Sequence, residues 1–371
     1  MIKNLIVFGT RPEAIKMAPL VKEFKNDSHF ETRVCVTAQH REMLDQVLDF
    51  FEIVPDYDLD IMKSDQNLYS LTASIIVGLK DVLEEFKPNY VYVHGDTTTT
   101  MATSIAAFYS GAKVCHIEAG LRTFNKLSPF PEEINRQLTS RIADYHFAPT
   151  IQAKENLLKE NINEKDILVT GNTVIDALLE SSERVKDIEN EEINELKHIV
   201  DTSRKIVLVT GHRRENHGQG FSNICEALKV IAGKYKDVQI IYPVHLNPNV
   251  KGPVYEILSG IENLKLIDPL SYPAFVWLMS RSYLIITDSG GVQEEAPSLG
   301  KPVLVLRDRT ERPEAVEVGT VILVGTDIAK IVNEVDVLLG DHGIYEKMSK
   351  LHNPYGDGLA GSRIVNFIKC L

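Results

Sequence analysis

Three acidic side chains have types and positions that suit proton transfer. Asp96 lies in HGDTTTT and Glu118 in HIEAGLRT, and each follows a short apolar run. Glu132 comes directly after Pro131 in SPFPEEINRQ. If the apolar runs are parallel strands, their carboxyl ends bring these carboxylates to one edge of a sheet. We predict that mutual repulsion raises one pKa and so provides an acid and a base.

Each carboxylate also has a purely structural interpretation. Asp96 can cap the helix that follows it, although the neighbouring threonines can do so too. Glu118 can pair with Arg122, because a lone carboxylate is costly to desolvate there. Glu132 can start a helix, where an acidic side chain interacts favourably with the helix dipole. The pattern leaves catalytic and structural roles open.

Two turns have the composition of anion sites. GTRPEAIKMAPL places Arg11 at a helix entry and Lys16 about one turn later. ITDSGGVQEE places Ser289, Gly290 and Gly291 between an apolar run and a helix. Amides at a helix N-terminus bind anions, and glycines allow close approach of a diphosphate. An ordinary helix start is the alternative in both cases.

Further polar residues come before and after the second turn in the sequence. His212 follows a strand in VTGHRREN, and RDRTERPEA supplies Arg307, Arg309 and Arg312. Glu294 and Glu295 come one turn after the glycines, where a carboxylate can bind ribose hydroxyls. These residues make nucleotide diphosphate binding the favoured interpretation of the second half.

The sequence indicates neither a metal nor a cofactor. GTRPEA lacks the GxGxxG spacing of dinucleotide sites and the GxxxxGK of nucleotide hydrolases. His212 and His217 are five residues apart in a loop, which is poor geometry for zinc, and the four cysteines form no CxxC pair. We predict catalysis by side chains alone.

The candidate residues follow a repeating pattern of elements. Short β-branched runs alternate with longer amphipathic segments, which is typical of βαβ units and parallel sheets. The charged stretch from Ser181 to Arg204 is predicted to be a solvated helix and connector between two domains. The similar starts LIVFGTRPEA and VLVTGHRREN fit two similarly wound α/β domains, unless the likeness is a coincidence. Strands are predicted near 2–8, 32–37, 90–94, 113–117, 145–147, 166–169, 205–210, 238–243, 263–267, 283–287, 302–305 and 321–323.

Composition excludes several classes of protein. The 371 residues contain 40 Lys and Arg against 52 Asp and Glu, a net charge of −12, which disfavours nucleic acids and anionic membranes as partners. With 44% hydrophobic and 25% charged residues, the composition is that of a soluble globular protein. Apolar runs of about five residues are far short of the roughly 20 that span a bilayer. The start MIKNLIVFGTRPE lacks a signal-peptide pattern, so we predict a cytoplasmic protein.

Taken together and in order, the motifs resemble the non-hydrolysing UDP-N-acetylglucosamine 2-epimerases. The matching segments are GTRPEAIKMAPL, TAQHREMLDQV, VHGDTTTT, HIEAGLRT, GNTVIDAL, TGHRREN, YPVHLNPNV, DSGGVQEEAPSLGKPVLVLRD, TERPEA and NPYGDG. The resemblance implies an α/β, GT-B-like protein with two doubly wound Rossmann-like domains facing a central cleft. Residues 1–170, joined by 358–371, would form one domain, and 171–357 would form the UDP-binding domain.

The resemblance also implies an activity. The family converts UDP-N-acetylglucosamine to UDP-N-acetylmannosamine without a cofactor. It eliminates UDP to give 2-acetamidoglucal and then adds UDP back, and it serves surface-polysaccharide synthesis, typically as a homodimer. A hydrolysing epimerase, a GT-B glycosyltransferase and a non-catalytic UDP-sugar sensor are the alternatives.

Residue roles follow from the matched motifs. Asp96, Glu118 and Glu132 would supply acid and base, with the assignment between them open. Some family members are activated by a second substrate molecule, and the corresponding residues would be Gln39, His40 and Gln46. The implied substrate contacts are Arg11, Lys16, Asp96, Glu118 and His212, with Ser289, Gly290 and Gly291 at the diphosphate, Glu295 at the ribose, Arg312 at the phosphate or sugar, and Leu270 and Phe275 around the uracil.

Overall fold

The computed structural model of the chain describes residues 1–37, 41–61 and 66–371. These residues form two compact units. The first unit comprises Met1–Ala177 with Tyr355–Leu371, and the second comprises Leu178–Pro354. Each unit contains one parallel sheet with helices between its strands.

The sheet of the first unit has seven strands in the order β3-β2-β1-β4-β5-β6-β7. Its strands are β1 Ile2–Phe8, β2 Phe30–Val36, β3 Tyr57–Asp58, β4 Tyr90–His94, β5 Lys113–Ile117, β6 Tyr145–Ala148 and β7 Ile167–Val169. The helices that follow these strands are α1 Arg11–Lys25, α2 Arg41–Phe50, α3 Leu68–Phe86, α4 Thr98–Ser110, α5 Glu132–Ile142, α6 Ile151–Lys159 and α7 Thr173–Arg184. The chain passes into the second unit within α7.

The sheet of the second unit has six strands in the order β10-β9-β8-β11-β12-β13. Its strands are β8 Lys205–Thr210, β9 Val238–Pro243, β10 Leu264–Ile267, β11 Leu284–Thr287, β12 Val303–Val305 and β13 Val321–Leu323. Its helices are α8 Glu191–Ile199, α9 Gln219–Lys234, α10 Pro248–Leu258, α11 Tyr272–Arg281, α12 Gly290–Glu295, α13 Pro313–Val318, α14 Ile328–Gly340 and α15 His342–Ser349. The last helix, α16 Ala360–Lys369, belongs to the first unit.

Both strand orders are those of doubly wound Rossmann-like sheets, which confirms the predicted fold class. Each order reverses at a switch point, between β1 and β4 in the first unit and between β8 and β11 in the second. Central strands such as β8 and β11 are buried on both faces, so they read as continuous apolar runs. Each predicted strand is present, with ends within two residues of the prediction. The additional strand β3 was missed because its two residues, at the sheet edge, include no apolar run.

The helix predicted within 181–204 is present as α8, but the prediction that this helix is a solvated connector is wrong. Ile193 and Leu196 are 0% and 2% exposed, because their spacing puts both on one face of the helix. On the same helix, the Glu192 carboxylate accepts a hydrogen bond from the Ser271 amide at 3.0 Å. The charged residues around these positions cover only the outer face, so α8 is a packed part of the second unit.

Candidate functional site

The first unit places two of the predicted turns at its switch point. β1 ends at Phe8, Thr10 caps α1, and Arg11 is the first residue of that helix. The turn that bears Asp96 follows β4, the strand paired with β1. Connections that leave a sheet in opposite directions open a crevice at such a point, and ligands bind there.

The buried carboxylate of Glu13 connects these two turns. It accepts hydrogen bonds from the amides of Gly9 at 3.0 Å and Thr10 at 2.8 Å, and from the Thr97 hydroxyl at 2.6 Å. Burial raises the pKa of Glu13, and the bonds from Thr97, Gly9 and Thr10 oppose that rise. Glu13 therefore fixes the turn after β1 against the turn after β4.

Glu118, directly after β5, lies in a cluster of polar side chains. Its carboxylate accepts hydrogen bonds from Lys16 Nζ and, at 2.7 Å, from Asn172 Nδ2. The side chain is only 8% exposed, so the cation and the amide offset the cost of its burial. Its backbone has φ 60°, a left-handed conformation that costs a non-glycine residue about 1 kcal/mol or more and clusters at functional sites. The structure thus brings two sequence-predicted residues, Lys16 and Glu118, together.

A neutral histidine completes this cluster. His94 Nε2 lies 3.9 Å from Glu118 Oε2. Burial lowers the pKa of His94 to about 4, so the imidazole is neutral near pH 7. Lys16 rather than His94 is therefore the cation beside Glu118.

The predicted pairing of Glu118 with Arg122 is wrong. Arg122 instead makes a bidentate ion pair with Glu160, with Nε to Oε1 at 2.6 Å and Nη2 to Oε2 at 2.9 Å. The chain turns between the two residues at Gly120, where φ is 92° and an added Cβ would lie 2.2 Å from the Ala153 carbonyl oxygen. This turn runs over α6, so Arg122 faces the end of that helix.

Asp96 is held by α5 rather than by the helix that follows it. Arg136 donates to Asp96 Oδ2 from Nε at 2.9 Å and from Nη2 at 2.6 Å. Thr97 caps α4, because its hydroxyl accepts a hydrogen bond from the Thr100 amide at 3.1 Å. The capping interpretation of Asp96 is thereby excluded. Asp96 also lies near the Glu118 cluster, since an added Cβ on Gly95 would be 3.4 Å from Glu118 Oε1.

Glu132 is the first residue of α5, the helix that holds Asp96. Its Oε2 is buried, and among the described residues it has no hydrogen-bond partner. The three predicted carboxylates are thus carried by adjoining elements of one unit. Because Asp96 pairs with Arg136 and Glu118 with Lys16, cations offset the expected repulsion. A pKa raised by mutual repulsion stays a prediction.

The second unit has its own polar group at the switch point between β8 and β11. Asp288, directly after β11, is 0% exposed. Its Oδ2 accepts hydrogen bonds from the amides of His212 and Arg213, both at 2.8 Å. Its Oδ1 lies 3.3 Å from His212 Nδ1. Burial lowers the pKa of His212, Asp288 opposes this, and His245 and Arg213 add to it.

The glycine turn lies beside this group. Ser289 is the N-cap of α12, and Gly290 and Gly291 are its first residues. An added Cβ on Gly290 would lie 3.2 Å from Glu311 Oε1, 3.4 Å from Arg312 Cζ and 3.6 Å from Arg213 Nη2. Two guanidinium groups and the carboxylate that pairs with them therefore flank the backbone amides that were predicted to meet a diphosphate.

Acidic partners hold these arginines in place. Arg312 Nε donates to Glu294 Oε1 at 2.7 Å, and Arg213 Nη2 donates to Glu311 Oε1 at 3.1 Å. Burial disfavours ionisation of Glu311, but Arg312 and Arg307 hold its pKa down to about 2. Arg307 forms ion pairs with Glu311 and with Glu215, so its guanidinium group belongs to this network. Arg309 is exposed.

The remaining residues predicted for nucleotide binding are partly brought together. Glu295 turns back toward the glycines, since an added Cβ on Gly291 would lie 3.7 Å from its Oε2. Leu270 lines a cavity of about 290 Å³ together with residues of α8 and β10. Phe275 is half-buried on α11 and is not among the described residues that line this cavity.

The predicted activator site falls mainly outside the described residues. Gln39 and His40 lie there, whereas Gln46 is exposed on α2.

Within 1–37, 41–61 and 66–371, no cluster of three or more His, Cys, Asp or Glu side chains could bind a metal ion. In the same ranges no helix combines the length and apolarity needed to cross a membrane.

Sequence reasoning missed several residues of both groups. Asp288 directly follows an apolar strand in IITDSGG, so the argument applied to Asp96 and Glu118 could have found it. Asn172 follows β7 in GNTVIDAL, again at a strand end. Arg136 had no such signal, because its role depends on which helix packs beside a given strand. Glu294 was singled out with Glu295 for the ribose, but its hydrogen bond with Arg312 was not predicted.

Comparisons with known proteins identify the family of the chain. A family profile described as UDP-N-acetylglucosamine 2-epimerase matches residues 22–369. A UDP-N-acetylglucosamine 2-epimerase of Yersinia pestis is 60% identical over 370 residues, which cover 99% of this chain and 98% of the relative.

Solved structures give the same result. The structure of a UDP-GlcNAc 2-epimerase from Neisseria meningitidis bound to UDP-GlcNAc is 53% identical, covers 100% of both chains and has a TM-score of 0.90. A UDP-GlcNAc 2-epimerase from Methanocaldococcus jannaschii in complex with UDP-GlcNAc and UDP is 35% identical, again covers 100% of both chains and has a TM-score of 0.80. The chain therefore belongs to the UDP-N-acetylglucosamine 2-epimerase family and is an enzyme of the isomerase class.

Proposed function

We propose that this enzyme inverts C2 of UDP-N-acetylglucosamine reversibly, giving UDP-N-acetylmannosamine, by eliminating UDP and adding it back. The observation that carries the proposal is the set of carboxylates at the strand ends of the first unit. Lys16 and Asn172 hold Glu118, and Arg136 holds Asp96, while Glu132 keeps a buried oxygen without a partner among the described residues. Fixed carboxylates of this kind suit proton transfer.

The chemistry explains why elimination is needed. C2 carries an acetamido group and is not next to a carbonyl, so its proton is not acidic enough for simple removal. In the proposed step a carboxylate takes the C2 proton while the bond from C1 to the UDP oxygen breaks. The electron pair of the C–H bond forms the C1–C2 double bond of 2-acetamidoglucal. Protonation of C2 from the opposite face and re-addition of UDP at C1 complete the reaction.

Which carboxylate acts on which face stays open between Asp96, Glu118 and Glu132. Asp96 pairs with Arg136 and Glu118 with Lys16, and these ion pairs would hold both carboxylates in position for proton transfer. Glu132 Oε2, which has no hydrogen-bond partner among the described residues, would be available to contact the substrate. Arg11 and Lys16, at the start of α1, would orient the substrate.

The leaving diphosphate needs fixed positive charge. The amides of the Ser289–Gly290–Gly291 turn and the flanking Arg312 would supply it, and the His212 ring would add to it when it is protonated. These groups belong to the second unit, which we accordingly propose as the UDP-binding domain. Glu295 would bind the ribose hydroxyls, and Leu270 and Phe275 would hold the uracil. The complex of the Neisseria meningitidis relative with UDP-GlcNAc supports this choice of substrate.

Four further points belong to the same proposal. A homodimeric state, a role in surface-polysaccharide synthesis and activation by a second UDP-N-acetylglucosamine molecule come from the family resemblance, and a cytoplasmic location was predicted in the sequence analysis. The activator would bind near Gln39, His40 and Gln46.

The test is to incubate the purified protein with UDP-N-acetylglucosamine and follow the products by proton NMR. We expect a mixture of the two UDP-sugars with no acceptor added. Release of free N-acetylmannosamine with UDP would indicate the hydrolysing reaction instead. Turnover that depends on an acceptor would indicate a glycosyltransferase, and binding without turnover would indicate a sensor.

A further inference from the structure

Asp288 and His212 form a pair whose geometry goes beyond anion binding. Asp288 is fully buried, and burying a carboxylate costs several kcal/mol unless its oxygens are satisfied. The amides of His212 and Arg213 satisfy Oδ2. Oδ1 makes no hydrogen bond that meets the usual geometry within the described residues, yet His212 Nδ1 lies 3.3 Å away.

The group that faces Nδ1 of His212 determines which of the two ring nitrogens carries hydrogen. An ionised carboxylate only accepts hydrogen bonds, so a ring nitrogen that faces it is stabilised as N–H. Such a bond is often long in a ligand-free site and shortens when substrate binds. With hydrogen on Nδ1, the neutral ring leaves Nε2, on the edge away from Asp288, as the bare nitrogen.

The surroundings restrict the ring in a second direction. The His245 ring lies 5.7 Å from that of His212 with an interplanar angle of 23°, a stacked arrangement. His245 follows β9 and His212 follows β8, so both loops leave neighbouring strands. One edge of the His212 ring thus meets a carboxylate and one face meets a second imidazole.

We infer that Asp288 is a positioning residue that keeps hydrogen on Nδ1 of His212, so that Nε2 is the nitrogen that contacts the substrate. The contact with substrate rests on the proposed function, whereas the tautomer does not. Asp288 acts through the His212 ring, which faces its Oδ1, while its Oδ2 is held by the two backbone amides. The inference accounts for a buried carboxylate that the carboxylate chemistry of the first unit does not use.

The direct test is the tautomer of His212 in protein labelled with nitrogen-15 in its histidines. Two-bond proton–nitrogen correlation spectra distinguish hydrogen on Nδ1 from hydrogen on Nε2. His212→Gln identifies the His212 signals by their loss. We expect hydrogen on Nδ1 in the wild type above the pH at which the ring becomes neutral. Hydrogen on Nε2 would overturn the inference without any variant and without reference to activity.

Asp288→Asn gives the kinetic test. The asparagine oxygen can still accept from the two amides, but its NH₂ group would face Nδ1 and favour hydrogen on Nε2. We expect that switch in the spectrum and a fall in kcat of up to about 10,000-fold, the loss known for such a change of tautomer in the Ser-His-Asp triad. An unchanged tautomer or an unchanged kcat would contradict the inference.

A double variant separates positioning from a merely structural role. If Asp288 acts through His212, Asp288→Asn combined with His212→Gln should be no slower than His212→Gln alone. Multiplicative losses would show that Asp288 acts independently of the ring. If the wild type has no epimerase activity but shows hydrogen on Nδ1, the proposed function fails while the pairing stands.

Discussion

The buried carboxyl group of Asp176, which contacts the C-terminal helix α16, allows a quantitative test of how burial affects stability. Asp176 lies on α7, and its Oδ1 accepts a hydrogen bond from the Gly361 amide of α16 at 2.8 Å. Its Oδ2 is buried and has no hydrogen-bond partner among the described residues. Burial raises the pKa of Asp176 to about 6, although the amides of Gly361 and Ala360 oppose the rise. The folded protein therefore favours the protonated form.

The effect of Asp176 on the free energy of unfolding follows, in size and sign, from the linkage between proton binding and folding. The rise from 3.8 to about 6 is about two pK units, each equal to 1.36 kcal/mol. Between these two pH values the folded state binds more protons than the unfolded state, so the free energy of unfolding falls as the pH rises. Above about pH 6 the full cost of roughly 3 kcal/mol is present.

Asp176→Asn removes the ionisable group and keeps an acceptor for Gly361. The variant should be more stable than the wild type at about pH 7.5 by up to about 3 kcal/mol, and most of this gain should vanish at about pH 4. Urea denaturation followed by circular dichroism at both pH values measures the difference. Comparing the two pH values cancels any pH-independent cost of the amide group.

The matched control is Asp341→Asn. Asp341 also accepts a hydrogen bond from a helix-end amide, that of Ile344 at 3.0 Å, but it is exposed, so the substitution removes no buried charge. A gain for Asp176→Asn that is equal at both pH values, or equal to that of the control, would refute the argument from burial.

The catalytic proposal makes three further predictions. Asp96→Asn, Glu118→Gln and Glu132→Gln should each keep the circular dichroism spectrum and lower kcat by about two to four decades, because each removes a proton donor or acceptor; near-normal turnover in all three would show that the carboxylates are misassigned. Activity should survive chelation and exhaustive dialysis, and recovery only with added zinc or NAD would contradict a cofactor-free reaction. If a second substrate molecule activates the enzyme, UDP-N-acetylmannosamine alone should react slowly until a trace of UDP-N-acetylglucosamine is added, and hyperbolic reverse kinetics without a lag would argue against activation.

The fold was largely predictable because parallel strands that are buried on both faces read as uninterrupted apolar runs. The same runs located the polar residues that follow them, including Asp96, Glu118, His212 and Ser289. What could not be predicted is the set of partners. Arg122 looked like the partner of Glu118 because the two are close in sequence, but the turn at Gly120 directs it to Glu160.

The other partners of Glu118 could not be predicted for the same reason. Lys16 reaches Glu118 from α1, across 102 positions of sequence, and Asn172 reaches it from the end of β7. No local pattern encodes such contacts, since they depend on strand order. α8 was misjudged because its two buried positions, Ile193 and Leu196, are outnumbered by charged neighbours. A periodicity of three residues within a charged segment is a weak signal when only two apolar residues carry it.

The fate of the C2 hydrogen tests the central claim most directly. Elimination and re-addition require that this hydrogen leave as a proton and be replaced from solvent, and that the bond from C1 to the UDP oxygen break reversibly. Epimerised product formed in deuterium oxide should therefore carry deuterium at C2, and an oxygen label in the bridging position should scramble into the non-bridging phosphate positions. Product that is inverted at C2 but retains its original hydrogen would contradict the account.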